Sequence, residues 1–121
     1  MANPDIELMA HLMRRAGFGA TYEELEQYAA KGYAATVDEL LSPMEQPDLE
    51  MDLLERYFVD WKEMNALEVN QAYLTYRMIN TKRPLQEKMT LFWHGIFCVG
   101  NSKCEHGAQI QTQLNMFREK G

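Results

Sequence analysis

Residues 84–97 read Pro84-Leu-Gln-Glu-Lys-Met-Thr-Leu-Phe-Trp-His-Gly-Ile-Phe97, which is the clearest helical pattern in the chain. Its apolar positions recur every three or four residues and form a wide stripe along one side of a helix. Proline is favoured at the first position of a helix, where its missing N–H costs nothing. We therefore predict a helix that begins at Pro84 and ends near Gly100. The apolar positions are Leu85, Met89, Phe92, Trp93, Ile96 and Phe97.

Further helix starts and stops lie on the N-terminal side of this stretch. Pro4 is expected to open a first helix, and Gly17 is predicted to end it in a left-handed conformation. Thr21 and Glu24 have the spacing of a capping box, in which each side chain accepts from the other's backbone N–H. A second helix therefore begins after Thr21, and a third, short one is predicted over residues 33–41.

The remaining segments continue the helical pattern. Residues 42–48 contain two prolines and are predicted to be a linker, after which Asp48 is expected to cap a helical stretch over residues 49–80. A last helix is predicted over residues 104–120. No segment alternates apolar and polar residues as a strand would. The fold class is therefore predicted to be all-α, with residues 1–121 forming one compact bundle of about five to seven helices.

Composition and charge exclude several classes of protein. No apolar run approaches the ~18 residues that a membrane span needs, and the opening residues lack the features of a signal peptide, so a cytoplasmic location is expected. The net charge is −6, with residues 1–70 at −10 and residues 71–121 at +4. An acidic chain is not expected to bind nucleic acid, which requires clustered Lys and Arg. The two oppositely charged segments could attract one another within the fold or between two copies.

One cluster has the residue types of a metal site. His94 and Cys98 are four residues apart and face the same side of one helix, while Cys104 and His106 follow across a turn. Two His and two Cys can hold zinc in a closed tetrahedral site. The spacing matches no standard zinc motif, so two reduced thiols and two ordinary histidines are the alternative. No cofactor is expected otherwise, and zinc is the metal that this set would hold.

A second candidate site lies along the same helix. Glu87, Thr90, His94 and Cys98 form a narrow polar stripe beside the apolar one. His94 could act as a base with Glu87 to hydrolyse phosphate or carboxylate esters, although seven helical residues separate the two by about 10 Å. A partly solvated helix edge is the interpretation that this stripe favours. The chain lacks the common catalytic motifs, including Gly-x-Ser-x-Gly and His-Glu-x-x-His.

Two separate motifs resemble the bacterial DUF1800 family. Arg-Pro-Leu-Gln-Glu-Lys-Met-Thr-Leu-Phe-Trp-His at residues 83–94 is similar to the signature of that family. His-Leu-Met-Arg-Arg-Ala-Gly-Phe-Gly-Ala-Thr at residues 11–21 is similar to its opening motif, and residues 32–33 and 37–43 fit as well. The resemblance implies a domain of unknown function in proteins of several hundred residues that are often exported. It implies that this chain corresponds to the N-terminal part of such a protein, and it supplies no catalytic residue.

The residues and the resemblance lead to two hypotheses about function. The first is a non-catalytic helical module that self-associates, most simply as a homodimer, or binds a partner. Its interface is expected at two apolar faces, residues 54–61 and residues 92–97, which are too broad for a short chain to cover. The alternative is a small hydrolase that uses His94 with Glu87, or a metal held by the Cys and His cluster.

Overall fold

A computed structural model of the chain describes residues 4–50, 56–57, 67–97 and 107–121. The described residues contain six α-helices and one 3-10 turn, Pro43–Glu45, and none of them lies in a strand. The predicted all-α bundle of five to seven helices is therefore confirmed. The helices are α1 (Pro4–Ala16), α2 (Tyr22–Lys31), α3 (Tyr33–Leu41), α4 (Leu67–Asn80), α5 (Pro84–Phe97) and α6 (Gly107–Lys120).

The first three helices follow their local sequence signals. Thr21 Oγ1 accepts the N–H of Glu24, and the Glu24 carboxylate accepts the N–H of Thr21, so the predicted capping box is present. Gly32 lies between α2 and α3 with a φ of 95°, a conformation that glycine adopts without strain. The apolar core of this half is formed by Met9, Met13 and Leu25.

The turn after α1 differs from the prediction in one respect. Gly17 does not take a left-handed conformation; the positive φ, of 103°, lies two residues later at Gly19, whose N–H donates to the Met13 carbonyl. Gly17 is instead buried against the start of α5, where an added Cβ would lie 2.9 Å from the Pro84 Cβ. Glycine is therefore required at this position because the chain passes so close to α5.

Replacing Gly17 by alanine is expected to destabilise the protein by about 1–3 kcal/mol, because an overpacked contact forces the neighbouring backbone to shift. The matched control is Gly95→Ala, since Gly95 lies in α5 and a Cβ there meets no atom within 4 Å. That control should be neutral or stabilising by up to about 1 kcal/mol, as alanine is the better helix former. Urea denaturation of both variants measures the difference, and equal stability of the two would contradict the close-packing role of Gly17.

The start of the predicted long helix is wrong. Leu49 and Glu50 lie outside any helix, and the described helical residues of this stretch include α4, which begins at Leu67. Asp48 accepts the Leu49 N–H, but its carboxylate also binds Arg77. The sequence pattern assigned Asp48 to a helix cap, whereas in the structure its carboxylate pairs with Arg77, 29 residues away in the chain.

Helix α5 is the central element and contacts α1, α3, α4 and α6. Its buried residues are Glu87 and Thr90, whereas Phe92, Ile96 and Phe97 are exposed. The interpretation of Glu87 and Thr90 as part of a solvated edge is therefore wrong. Glu87 faces the interior because α4 and α6 supply its partners, whereas Thr90 Oγ1 donates to the Gln86 carbonyl of its own helix.

Candidate functional site

Glu87 is a fully buried carboxylate that joins three helices. Its Oε1 accepts from Arg77 Nε of α4 at 2.7 Å and from Arg118 Nε of α6 at 2.9 Å. Its Oε2 accepts from Arg118 Nη2 at 3.1 Å, which makes the Arg118 pair bidentate. The Arg77 and Arg118 side chains are themselves only 6% and 9% exposed. We call these three residues the Arg–Glu–Arg network.

Arg77 extends the network toward the surface. Its Nη2 donates to Asp48 Oδ1 at 2.9 Å and its Nη1 donates to Tyr73 Oη at 3.3 Å, while the guanidinium carbon lies 5.7 Å from the centre of the Tyr73 ring. Burial alone would lower the pKa of Arg77, but the hydrogen bond to Glu87 and the nearby Tyr73, Glu87 and Asp48 raise it above its ordinary value. Arg77 is therefore held in the charged form.

Asp48 supplies the outer carboxylate of the network. Partial burial alone would raise its pKa, but the Leu49 N–H at 2.7 Å and the Arg77 guanidinium lower that pKa below its usual value. Asp48 belongs to the acidic segment of the chain and Arg77 to the basic one. The attraction between the two segments is therefore expressed within the fold at this contact.

The arginines of the network also line a cleft that opens beside it. This arginine cleft has a volume of about 380 Å³. A third guanidinium, that of Arg83, faces the same space and donates from Nε and Nη2 to the Gln46 carbonyl. The lining residues are Met44, Asp48, Tyr73, Arg77, Arg83, Gln86, Asn115, Arg118 and Glu119.

The structure does not bring His94 and Glu87 together. Both Glu87 oxygens accept from arginines, and the rise of α5 separates His94 from Glu87 by about 10 Å. His94 is half-buried, and its Nδ1 has no hydrogen-bond partner among the described residues. His94 does not line the arginine cleft, nor the clefts that include Phe18 and Tyr28, Leu41 and Phe117, or Thr36 and Leu40.

The other residues of the predicted zinc set, Cys98, Cys104 and His106, lie outside the described residues. Within the described ranges, no group of three or more His, Cys, Asp or Glu side chains is placed to hold a metal. The zinc site therefore stays a prediction.

The C-terminal end of α5 carries a second feature, an aromatic face formed by Phe92, Trp93, Ile96, Phe97 and, from α6, Phe117. Ring centres lie 5.1 Å apart for Phe92 and Trp93, 5.9 Å for Trp93 and Phe97, and 6.2 Å for Phe97 and Phe117. Phe92, Ile96 and Phe97 are each more than half exposed. The predicted apolar face over residues 92–97 is thus uncovered. The other predicted face, residues 54–61, lies mostly outside the described residues.

Sequence reasoning selected Glu87 but missed Asp48, Arg77, Arg83 and Arg118. A signal was available in the charge of residues 71–121, which carry seven basic and three acidic side chains. An excess of cations near an acidic residue on a central helix indicates that the acidic residue has basic partners.

These observations define a small all-α protein whose central helix buries a glutamate between two arginines. Among the described residues, no helix is long and apolar enough to cross a membrane. The chain belongs to the DUF1800 family, a family of proteins of unknown function, whose model matches residues 11–120. No curated protein and no solved structure matches the chain.

Proposed function

We propose that this chain is a helical module that pairs with a second copy of itself through the aromatic face. The observation that supports the proposal is the exposure of Phe92, Ile96 and Phe97 at adjacent positions of α5. Large apolar side chains that cluster on a surface are typical of interfaces. By contrast, the two buried residues of α5, Glu87 and Thr90, are polar and hydrogen-bonded within the bundle, so exposed apolar side chains of the helix are left for a partner.

The exposed apolar area supplies the centre of a dimer interface, and neighbouring residues would have to complete the ~1,200–2,000 Å² that a stable interface buries. Phe92 and Phe97 together leave about 200 Å² exposed, given the 150–250 Å² of an aromatic side chain, and Ile96 extends the patch to roughly 300 Å². Two such patches contribute a gross ~15 kcal/mol at ~25 cal/mol per Å², against an association cost of about 4–15 kcal/mol. The apolar contribution is therefore about equal to the association cost or larger, so we expect a dimer that forms reversibly as the concentration rises.

Charge asymmetry favours a second copy as the partner. A copy presents an acidic segment and a basic segment, so a two-fold arrangement can place each acidic segment of one copy near the basic segment of the other. In a two-fold dimer the aromatic face of one copy packs against the aromatic face of the other, so one exposed patch supplies both sides of the interface.

Sedimentation velocity of the full chain tests the proposal over a range of concentrations. We expect a monomer–dimer equilibrium, and we expect Ile96→Glu to shift it to monomer because a carboxylate would be buried at the interface. The matched control is Ile79→Glu, since Ile79 is an equally apolar residue on α4 that is three-quarters exposed. Circular dichroism checks that both variants fold. A monomer at high micromolar concentration, or equal loss of dimer in both variants, would overturn the proposal.

A hydrolase that uses His94 is the second candidate, and the unpartnered His94 Nδ1 favours it. In that case His94 acts as the base for ester hydrolysis without direct contact with Glu87, or, as a separate alternative, His94 is a ligand of a zinc ion together with Cys98, Cys104 and His106. Elemental analysis of the purified protein and assays with phosphate and carboxylate esters test this candidate. Activity that His94→Ala abolishes would support it, whereas no activity and no bound zinc would end it.

A further inference from the structure

We propose that the arginine cleft is a binding site for the oxyanion end of a small amphiphilic molecule, namely a carboxylate or a phosphate monoester that carries a short apolar tail. The proposal is independent of the aromatic face. It rests on the charge of the cleft, on its unused hydrogen-bond donors, and on the apolar groove that adjoins it.

The cleft holds more positive charge than the described carboxylates neutralise at contact distance. Glu87 pairs with Arg77 and Arg118, and Asp48 pairs with Arg77. Arg83 donates to the Gln46 carbonyl and, at 4.0 Å, to Met44 Sδ. Asp48 is near enough for Arg83 to help lower its pKa, but no described carboxylate makes a contact ion pair with Arg83. The other carboxylate of the lining besides Asp48 is Glu119, which is exposed, so water and salt screen its charge. An oxyanion in the cleft would give Arg83 a contact ion pair.

The buried guanidinium groups also have hydrogen-bonding capacity left over. A guanidinium carries five N–H donors. Arg77 makes three hydrogen bonds, to Glu87, Tyr73 and Asp48, and Arg118 makes three side-chain hydrogen bonds, two to Glu87 and one to Asn115. Two donors on each side chain are thus unused among the described residues. Because both side chains line the cleft, an oxygen-rich anion there could accept charge-assisted hydrogen bonds from these donors.

The surroundings of the cleft indicate the rest of the ligand. An adjoining groove of about 490 Å³ shares Met44, Gln86, Arg118 and Glu119 with the arginine cleft. On the shared wall, Gln86 Oε1 is buried without a hydrogen-bond partner in the described chain, so it can accept from the P–O–H of a singly protonated phosphate monoester. The groove beyond is mainly apolar and includes Leu40, Leu41, Pro43, Leu85, Met89 and Phe117. A molecule held by its oxyanion near Arg118 would therefore place an alkyl tail against apolar side chains.

Calorimetric titration of the full chain with four probes tests the proposal. Hexanoate and hexyl phosphate combine an oxyanion with a tail, acetate lacks the tail, and hexylamine reverses the charge. We expect at least one of the first two to bind at least tenfold more tightly than acetate, and hexylamine not to bind. The tighter of the two oxyanions identifies the head group as a carboxylate or a phosphate ester.

Variants locate the binding at the cleft. Arg83→Gln should weaken binding of the better probe at least tenfold, while Arg83→Lys, which keeps the charge, should retain most of it. The matched control is Lys82→Gln, which removes the same charge from the adjacent exposed residue outside the arginine cleft and should leave binding unchanged. Circular dichroism confirms folding of all three. Equal binding of hexylamine, no binding of either oxyanion, or an unchanged affinity in a folded Arg83→Gln would overturn the proposal.

Discussion

Glu87→Gln is expected to destabilise the protein by about 3–5 kcal/mol, the largest effect that we anticipate from a single substitution. Glutamine has nearly the same shape, so the change removes the charge and leaves the packing. Arg77 and Arg118, both at least nine-tenths buried, would then share no buried carboxylate. Breaking a buried ion pair from one side has this cost because the remaining charges stay out of water without compensation.

Urea denaturation followed by circular dichroism measures this effect, with Glu68→Gln as the matched control. Glu68 is an exposed glutamate on α4, so the same substitution there should change stability by no more than about 0.5 kcal/mol. Equal stability of the two variants would mean that the Glu87 carboxylate contributes little to the fold.

Local features of this fold follow from the sequence because their causes lie within a few residues. The capping box joins Thr21 and Glu24 across one turn of helix, and proline at Pro84 marks a helix start by its own chemistry. Neither feature depends on what packs against the helix. The end of α1 was less predictable, since Gly17 is required by its contact with Pro84, 67 residues away in the chain.

The Arg–Glu–Arg network could not be predicted from local patterns. Glu87 lies ten residues from Arg77 and 31 from Arg118, so the contacts depend on how three helices meet. A glutamate on an amphipathic helix normally indicates the solvated side, because carboxylates are rarely buried unless they are paired. Over part of α5 the helix pattern therefore predicted the wrong side to be buried. In the structure Glu87 is inside and Phe92 is outside.

That reversal links the two proposals made for this protein. A helix with apolar residues on one side usually turns that side inward, and here the interior position is taken by charged groups whose burial is costly. The apolar side of α5 is then free to form an interface, and the charged side adjoins a cleft. This arrangement suggests an interpretation in which the main role of the Arg–Glu–Arg network is to bind a ligand, and its contribution to stability is secondary.

The combined substitution Arg77→Met, Glu87→Met and Arg118→Met tests that interpretation. Because all three charges leave together, no buried charge is stranded, and such apolar replacements are often neutral or stabilising by 1–4 kcal/mol. We expect the triple variant to recover most of the stability that Glu87→Gln loses. Two groups that Arg77 and Arg118 contact, Asp48 and Asn115, are exposed and can bind water instead.

The triple variant should separate stability from binding. Urea denaturation is expected to place it within about 1 kcal/mol of the unmodified protein or above it, whereas calorimetry should show at least a tenfold loss of affinity for the better oxyanion probe. The N–H groups of Arg77 and Arg118 that make no hydrogen bond within the described chain are the ones proposed to bind the anion. Replacing both arginines removes these donors, so the affinity should fall. A triple variant that is as unstable as Glu87→Gln would show instead that the charges hold the three helices together, and that the network is retained for the fold.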